Sequence, residues 1–295
     1  MWRKAIGVIL ATAPLLALAQ EMKHFRVAPD GHCRVVKITY TASSGTCYLQ
    51  KGASSDPLSV YSTRDIDDFN HSFHHNQKEQ ILEVNLALEE KNSMSFSQSI
   101  SSNMFTKSRP EDNIWRVELT DDIPYELELN YGIGEAYVDL SGLQIIRLSI
   151  QTGSADVNIG YMEPVPNPVP MHEMNIKVDL GNVQARQLDL ANVHRINAEV
   201  GFGNMLLDLS EPLGHPCQVN ASVGAGTLEI LVPKDGIPVV IHIKKSMLCD
   251  VRMSRSFTET AEDTFTNTAY DSQKTGQLEF VVDVSFGTII FKEKK

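Results

Sequence analysis

The side chains best suited to chemistry by type and spacing lie in "DIDDFNHSFHH", where His71, His74 and His75 stand beside Asp65, Asp67 and Asp68. Imidazoles with carboxylates could hold zinc or copper. They lack the spacing of a tight ligand set, so the stretch is read as a solvated polar loop whose three histidines are weak metal candidates. A second group occupies one fixed place in a recurring pattern: Glu135, Asp156, Asn204 and Thr227. Acid and base work on a glycan needs two or three carboxylates within a few ångströms and a basic partner. Only two of these four are acidic, so they are read as a surface ladder facing solvent. Ser, His and Asp are all present, but no Gly-x-Ser-x-Gly elbow occurs and no lone cysteine is set beside a histidine motif. The expectation is therefore no catalytic residue, no enzyme activity, no resident metal and no cofactor. "NHS" at 70 and "NAS" at 220 match glycosylation acceptors, which matter only in a eukaryotic secretory route.

The pattern that would position the ladder recurs from residue 125 onward. Its copies are "YGIGEAYVDL" at 131, "TGSADVNIGY" at 152, "LGNVQARQLDL" at 180, "VGFGNMLLDL" at 200, "VGAGTLEILV" at 223 and "VSFGTIIFKE" at 284. Their first glycines give a period of about 21 residues once the proline-rich insertion "EPVPNPVP" is set aside as an external loop. Two glycine-free candidates, "IPVVIHIKKSMLCDVRM" and "QLEFVVDV" with its approach, fill the gap between Gly226 and Gly287.

Alternation of period two sends Val138, Ile159, Leu207, Ile230 and Phe291 to one side of their strands. Ala136, Val157, Met205, Leu228 and Ile289, two residues earlier, share that side. One such coil cannot bury enough apolar surface to offset the ordering of its own backbone, whereas stacked coils share burial and hydrogen bonds. The fold expected is all-β: a single-stranded right-handed parallel β-solenoid. A phosphate-binding glycine loop should lead from a strand into a helix. Here every Gly-x-Gly leads into another strand, so Gly132, Gly134, Gly201, Gly203, Gly224 and Gly226 are read as corners that tolerate positive φ or close backbone approach.

Residues 20–124 contain no glycine repeat but are strand-rich, as in "CRVVKITY", "ILEVNLAL" and "SMSFSQSI". They are read as an irregular N-terminal cap continuous with the solenoid repeats of 125–295. The charged ending "FKEKK" suits a terminal coil whose edge must not pair further. The opening 1–19 reads as a signal peptide, with Arg3 and Lys4 before the 15 apolar residues Ala5 to Ala19 and a small-x-small ending. That span is short of the ~20 residues a membrane helix needs. The expectation is an exported, periplasmic or cell-surface chain that is not membrane-embedded after cleavage.

Loss of those two cations takes the formal net charge from -11 to -13, a poor match for nucleic acid or an anionic membrane surface. Four cysteines in an exported chain permit disulfides. Cys33 with Cys47 is the nearer pair, and Cys217 with Cys249 is read first as buried thiols.

Over "IWRVELTDDIPYELELNYGIGEAYVDLSGLQIIRLSIQTGSADVNI" the sequence resembles the toast-rack family, closely over 113–160 and more loosely to 291. It is more distantly similar to adhesin domains of the same type. The resemblance implies a right-handed β-solenoid at the bacterial cell envelope, in some members coupled to stress signalling, with no established catalytic residues to carry over. This chain lacks the transmembrane helices of the signalling members. The function expected is a non-enzymatic cell-envelope binding or scaffold protein, its partner an envelope protein or a glycan. The alternatives are a carbohydrate-active β-helix enzyme and a regulator of an envelope stress-signalling partner. Oligomeric state, ligand and the face used stay open.

Overall fold

The computed structural model describes residues 22–28, 31–91, 113–234, 236–270 and 278–294. The expected signal peptide (1–19) and the run "SMSFSQSI" lie outside the described residues. The strands are β1 (Met22–Val27), β2 (Val35–Lys51), β3 (Leu58–Ser62), β4 (Phe69–Lys78), β5 (Ile81–Glu90), β6 (Ile114–Leu119) and β7 (Pro124–Asp139). There follow β8 (Gln144–Thr152), β9 (Asp156–Gly160), β10 (Glu173–Val178), β11 (Asn182–Ala185), β12 (Arg195–Val200), β13 (Asn204–Asp208), β14 (Cys217–Val223) and β15 (Thr227–Val232). Last come β16 (Val239–Lys245), β17 (Asp250–Met253), β18 (Thr258–Ala261), β19 (Thr264–Thr266), β20 (Leu278–Val284) and β21 (Thr288–Glu293). All 21 belong to one sheet, mostly parallel.

Pairing organises the strands into two columns, each rung supplying one strand to each. The first column runs β7, β8, β10, β12, β14, β20, β16. The second runs β7, β9, β11, β13, β15, β21, β17. β7 is long enough to serve both columns, and β2 pairs with it along both halves. Beyond β2, β5 continues the first column and β6 the second. Parallel pairing thus reaches back to Val35, well before residue 125. Antiparallel strands cover both columns at one end, β4 on β5, β3 on β6 and β1 on β3, and the first column at the other, β19 on β16 and β18 on β19. Such strands cover what would otherwise be open parallel edges.

The apolar phasing puts the core between the columns. Leu49, Val138, Ile159, Ala185, Leu207, Ile230 and Phe291 stand in register on successive rungs, all buried. Ala136, Val157, Val183, Met205, Leu228 and Ile289 form the neighbouring buried row. The glycines are needed mainly for close approach. A Cβ on Gly203 would overlap the carbonyl oxygen of Gly181, and one on Gly226 that of Gly203. Positive φ is required at Gly45 and Gly134, with φ of 109° and 115°, but at none of Gly201, Gly203, Gly224 and Gly226.

Two arrangements depart from the expected order. β20 and β21 enter between the rung β14/β15 and the rung β16/β17, so chain order and stacking order differ. The segment expected to end the stack is therefore interior. Its lysines pair locally instead, Lys292 with Glu229 at 2.8 Å and Lys294 with Glu211 at 3.6 Å. The proline-rich insertion does loop out, but Asn167 turns back inside. It is buried, accepts from Ile145 N at 3.0 Å and donates to Ile145 O at 2.7 Å and Ala191 O at 3.2 Å. One amide side chain thereby bridges two rungs in the manner of a strand residue.

Candidate binding faces

Because side chains alternate along a strand, each column presents an outward polar row opposite its buried one. On the second column, Glu135, Asp156, Asn182, Asn204 and Thr227 stand in register on five successive rungs. They are hydrogen-bonded along the row: Asn182 Nδ2 donates to Asp156 Oδ1 at 2.6 Å and Asn204 Nδ2 to Asn182 Oδ1 at 2.9 Å. The sequence reading missed Asn182, although its Gly-Asn step matches Gly203-Asn204. A groove of roughly 530 Å³ follows the row. At one end Tyr137 donates to Glu135 at 2.8 Å and stacks on Tyr48, ring centroids 5.1 Å apart and 11° from parallel. The bond to Glu135 holds the Tyr137 hydroxyl above its usual pKa.

Two of the groove's carboxylates, Glu135 and Asp156, are neighbours on adjacent rungs, about 4.8 Å apart along the stack, and the third is remote from them. Glu229 stands four rungs from Tyr137, about 19 Å at ~4.8 Å per rung, and is paired with Lys292. Arg186 is turned to Gln184 Oε1 at 2.7 Å. The arrangement offers donors and acceptors along a line, with one adjacent pair of acids, Glu135 and Asp156, at its end.

The first column carries an equivalent row that the sequence reading did not phase. Asn175, Asn197 and Asn220 are in register, with Asn197 Nδ2 donating to Asn175 Oδ1 at 2.7 Å and Asn220 Nδ2 to Asn197 Oδ1 at 2.9 Å. Their spacings of 22 and 23 residues repeat the glycine period and were the available signal. Charge alternates beside them, Glu126 with Arg147, Arg147 with Glu173, and Lys177 with Glu199 at 2.8 Å. A groove of roughly 590 Å³ lies over this face.

The histidines His71, His74 and His75 lie on β4, a strand where a loop was expected. Alternation puts His71 and His75 on one face and His74 on the other, and His71 packs against Phe25 at 5.6 Å. Among the described residues no group of three or more His, Cys, Asp or Glu is placed to hold a metal ion. Unforeseen is a second histidine set, His172, His194 and His215, which precede β10, β12 and β14. His194 and His215 have ring centroids 4.4 Å apart, and desolvation, then His215, lowers the His194 pKa.

All four cysteines are free thiols. Cys33 precedes β2 while Cys47 lies beyond the bend at Gly45, so about ten residues of strand at ~3.3 Å each keep them out of disulfide reach. Cys217 opens a first-column strand and Cys249 follows the far end of another, a strand length away. Burial pushes the thiols of Cys47 and Cys217 up to about 12, and Tyr40 Oη lies 3.3 Å from Cys47 Sγ.

Among the described residues no helix is long and apolar enough to cross a membrane. None of the curated proteins matches this chain. A solved structure that does match, a candidate cell adhesion protein from Clostridium sporogenes ATCC 15579, is 17% identical over 93% of this chain and 99% of its own, with a TM-score of 0.43. Residues 36–163 match the family model described as the N-terminal domain of toast_rack, DUF2154, which contains the stretch 113–160.

Proposed function

We propose that this chain, which carries a toast-rack N-terminal domain over residues 36–163, is a non-enzymatic binding or scaffold protein of the bacterial cell envelope. Its rungs form one right-handed parallel β-solenoid, exported behind the signal peptide 1–19 to the periplasm or cell surface. The partner is an envelope protein or a glycan. The observation that carries this reading is the linear polar row Glu135, Asp156, Asn182, Asn204, Thr227, which offers hydrogen bonds at every rung and converges on no single atom. A long row suits an extended ligand, whereas glycan cleavage needs paired carboxylates with a basic partner, and the one adjacent acid pair here, Glu135 and Asp156, is engaged by Tyr137 and Asn182.

The test combines fractionation of cells with calorimetric titration of the purified protein against soluble envelope glycan and against solubilised envelope proteins. Saturable binding that weakens in Asn182→Ala supports the reading. Release of new reducing ends from the glycan, lost in Glu135→Gln or Asp156→Asn, would establish an enzyme instead.

A further inference from the structure

The edge where the two columns meet carries large apolar side chains that the core does not use. Corners stack through Phe202 N to Asp179 O, Ala225 N to Gly201 O and Phe286 N to Gly224 O, each 2.8 Å, while Ser246 N to Val284 O places Met247 on the next rung. Along this edge stand Phe202, Ala225, Phe286 and Met247, with Leu248 beside the last. Met247 is 100% exposed, Phe202 73% and Phe286 66%. An apolar strip of several hundred Å² is at the upper end for a monomer and marks an interaction surface.

The strip has a shape and a charge pattern. Ala225 leaves a gap between Phe202 and Phe286, which stand two rungs apart, about 10 Å. Beside the strip, Lys177, Glu199, Ser222, Asp283 and Lys244 stand in register on five successive rungs. Read along the stack their charges run plus, minus, neutral, minus, plus.

We propose that this edge binds a second copy of the chain, antiparallel, about a two-fold axis lying between the rung of Ala225 and the rung of Phe286. Phe286 of each copy then enters the gap over Ala225 of the other. Phe202 lies against Met247, and Glu199 faces Lys244. A two-fold centred on Ala225 itself would leave the gap empty and set Lys177 against Lys244 and Glu199 against Asp283. The one-rung stagger satisfies packing and charge together. A bilayer fits less well, because the chain carries a net charge of -11 and an anionic surface would repel it. The strip is smaller than the ~800 Å² per partner of a standard interface, so the dimer is a weak one.

Sedimentation equilibrium of the protein across the micromolar range tests this. The wild type should approach twice the monomer mass, and Phe286→Asp should remain at the monomer mass. Ala225→Trp is the decisive variant. It enlarges the apolar strip, so a merely adhesive edge would associate more strongly, whereas a blocked gap yields monomer. Both positions are exposed, and unchanged urea midpoints would show that the variants fold. A wild type that stays monomeric, dimers persisting in Phe286→Asp, association of Ala225→Trp equal to or above wild type, or flotation of wild-type monomer with phosphatidylethanolamine and phosphatidylglycerol vesicles would each overturn the proposal.

Discussion

Replacing Asn167 by alanine tests how the stack tolerates its proline-rich interruption. The side chain makes three hydrogen bonds to backbone groups of two rungs, Ile145 N, Ile145 O and Ala191 O, and it is buried. Alanine removes all three partners without opening a path for water. Each of the three backbone groups left dry costs about 1–3 kcal/mol, so the expected loss is roughly 3–9 kcal/mol. That is a large part of a domain stability of about 5–15 kcal/mol. Urea unfolding followed through Trp115, which is fully buried edge-on to Phe69 at 5.0 Å, measures it. Asn220→Ala is the control. It loses one bond in a half-buried surface row and should cost about 0.5–1 kcal/mol. An Asn167→Ala midpoint within ~1 kcal/mol of wild type at unchanged slope would refute the bridging role.

Gly203→Ala should destabilise by about 1–3 kcal/mol or more, since its methyl would meet Gly181 O and Val178. Gly214→Ala, where a Cβ meets nothing within 4 Å, should change little, both variants being read by urea unfolding. At pH 8, maleimide should label Cys249 and Cys33 in the native protein and reach Cys47 and Cys217 only after unfolding, because burial holds those two thiols protonated. Their pKa is raised in the fold, so the stability they contribute is complete below the usual 9.0 and declines as pH climbs towards about 12. The His194 imidazole should titrate below 6.5 by NMR and move part of the way back in His215→Ala, desolvation being the larger cause. Because its folded pKa is lowered, its contribution to stability is lost as pH falls through that range.

The rows of Val138 and Ala136 were legible because bulky apolar residues recur at period two after a glycine, and burial demands that repetition. Ala185 broke the row's volume rule and Val183 was hidden in the copy least like the others, so that rung was phased only by the structure. The Asn175 row escaped because the alignment was anchored on the strand after each glycine and ignored the one before it. Stacking order could not be read at all. Val, Ile and Phe side chains of β20 and β21 pack equally well against any neighbouring rung, and nothing in their pattern says which one. The cysteine pairing failed on geometry, because nearness in sequence counts for little when residues 35–42 between the two run as an extended strand.

The late entry of β20 and β21 between two earlier rungs bears on how the molecule is made. Residues 239–253 have no parallel neighbour of their own until residues 278–293 are in place, since β16 and β17 pair with β20 and β21 and with neither β14 nor β15. Assembly along this stretch cannot proceed rung by rung as the chain emerges. An already synthesised segment must wait for a later one and then close over it, which adds distant contacts to the slowest part of folding and makes residues 278–293 the keystone of that end.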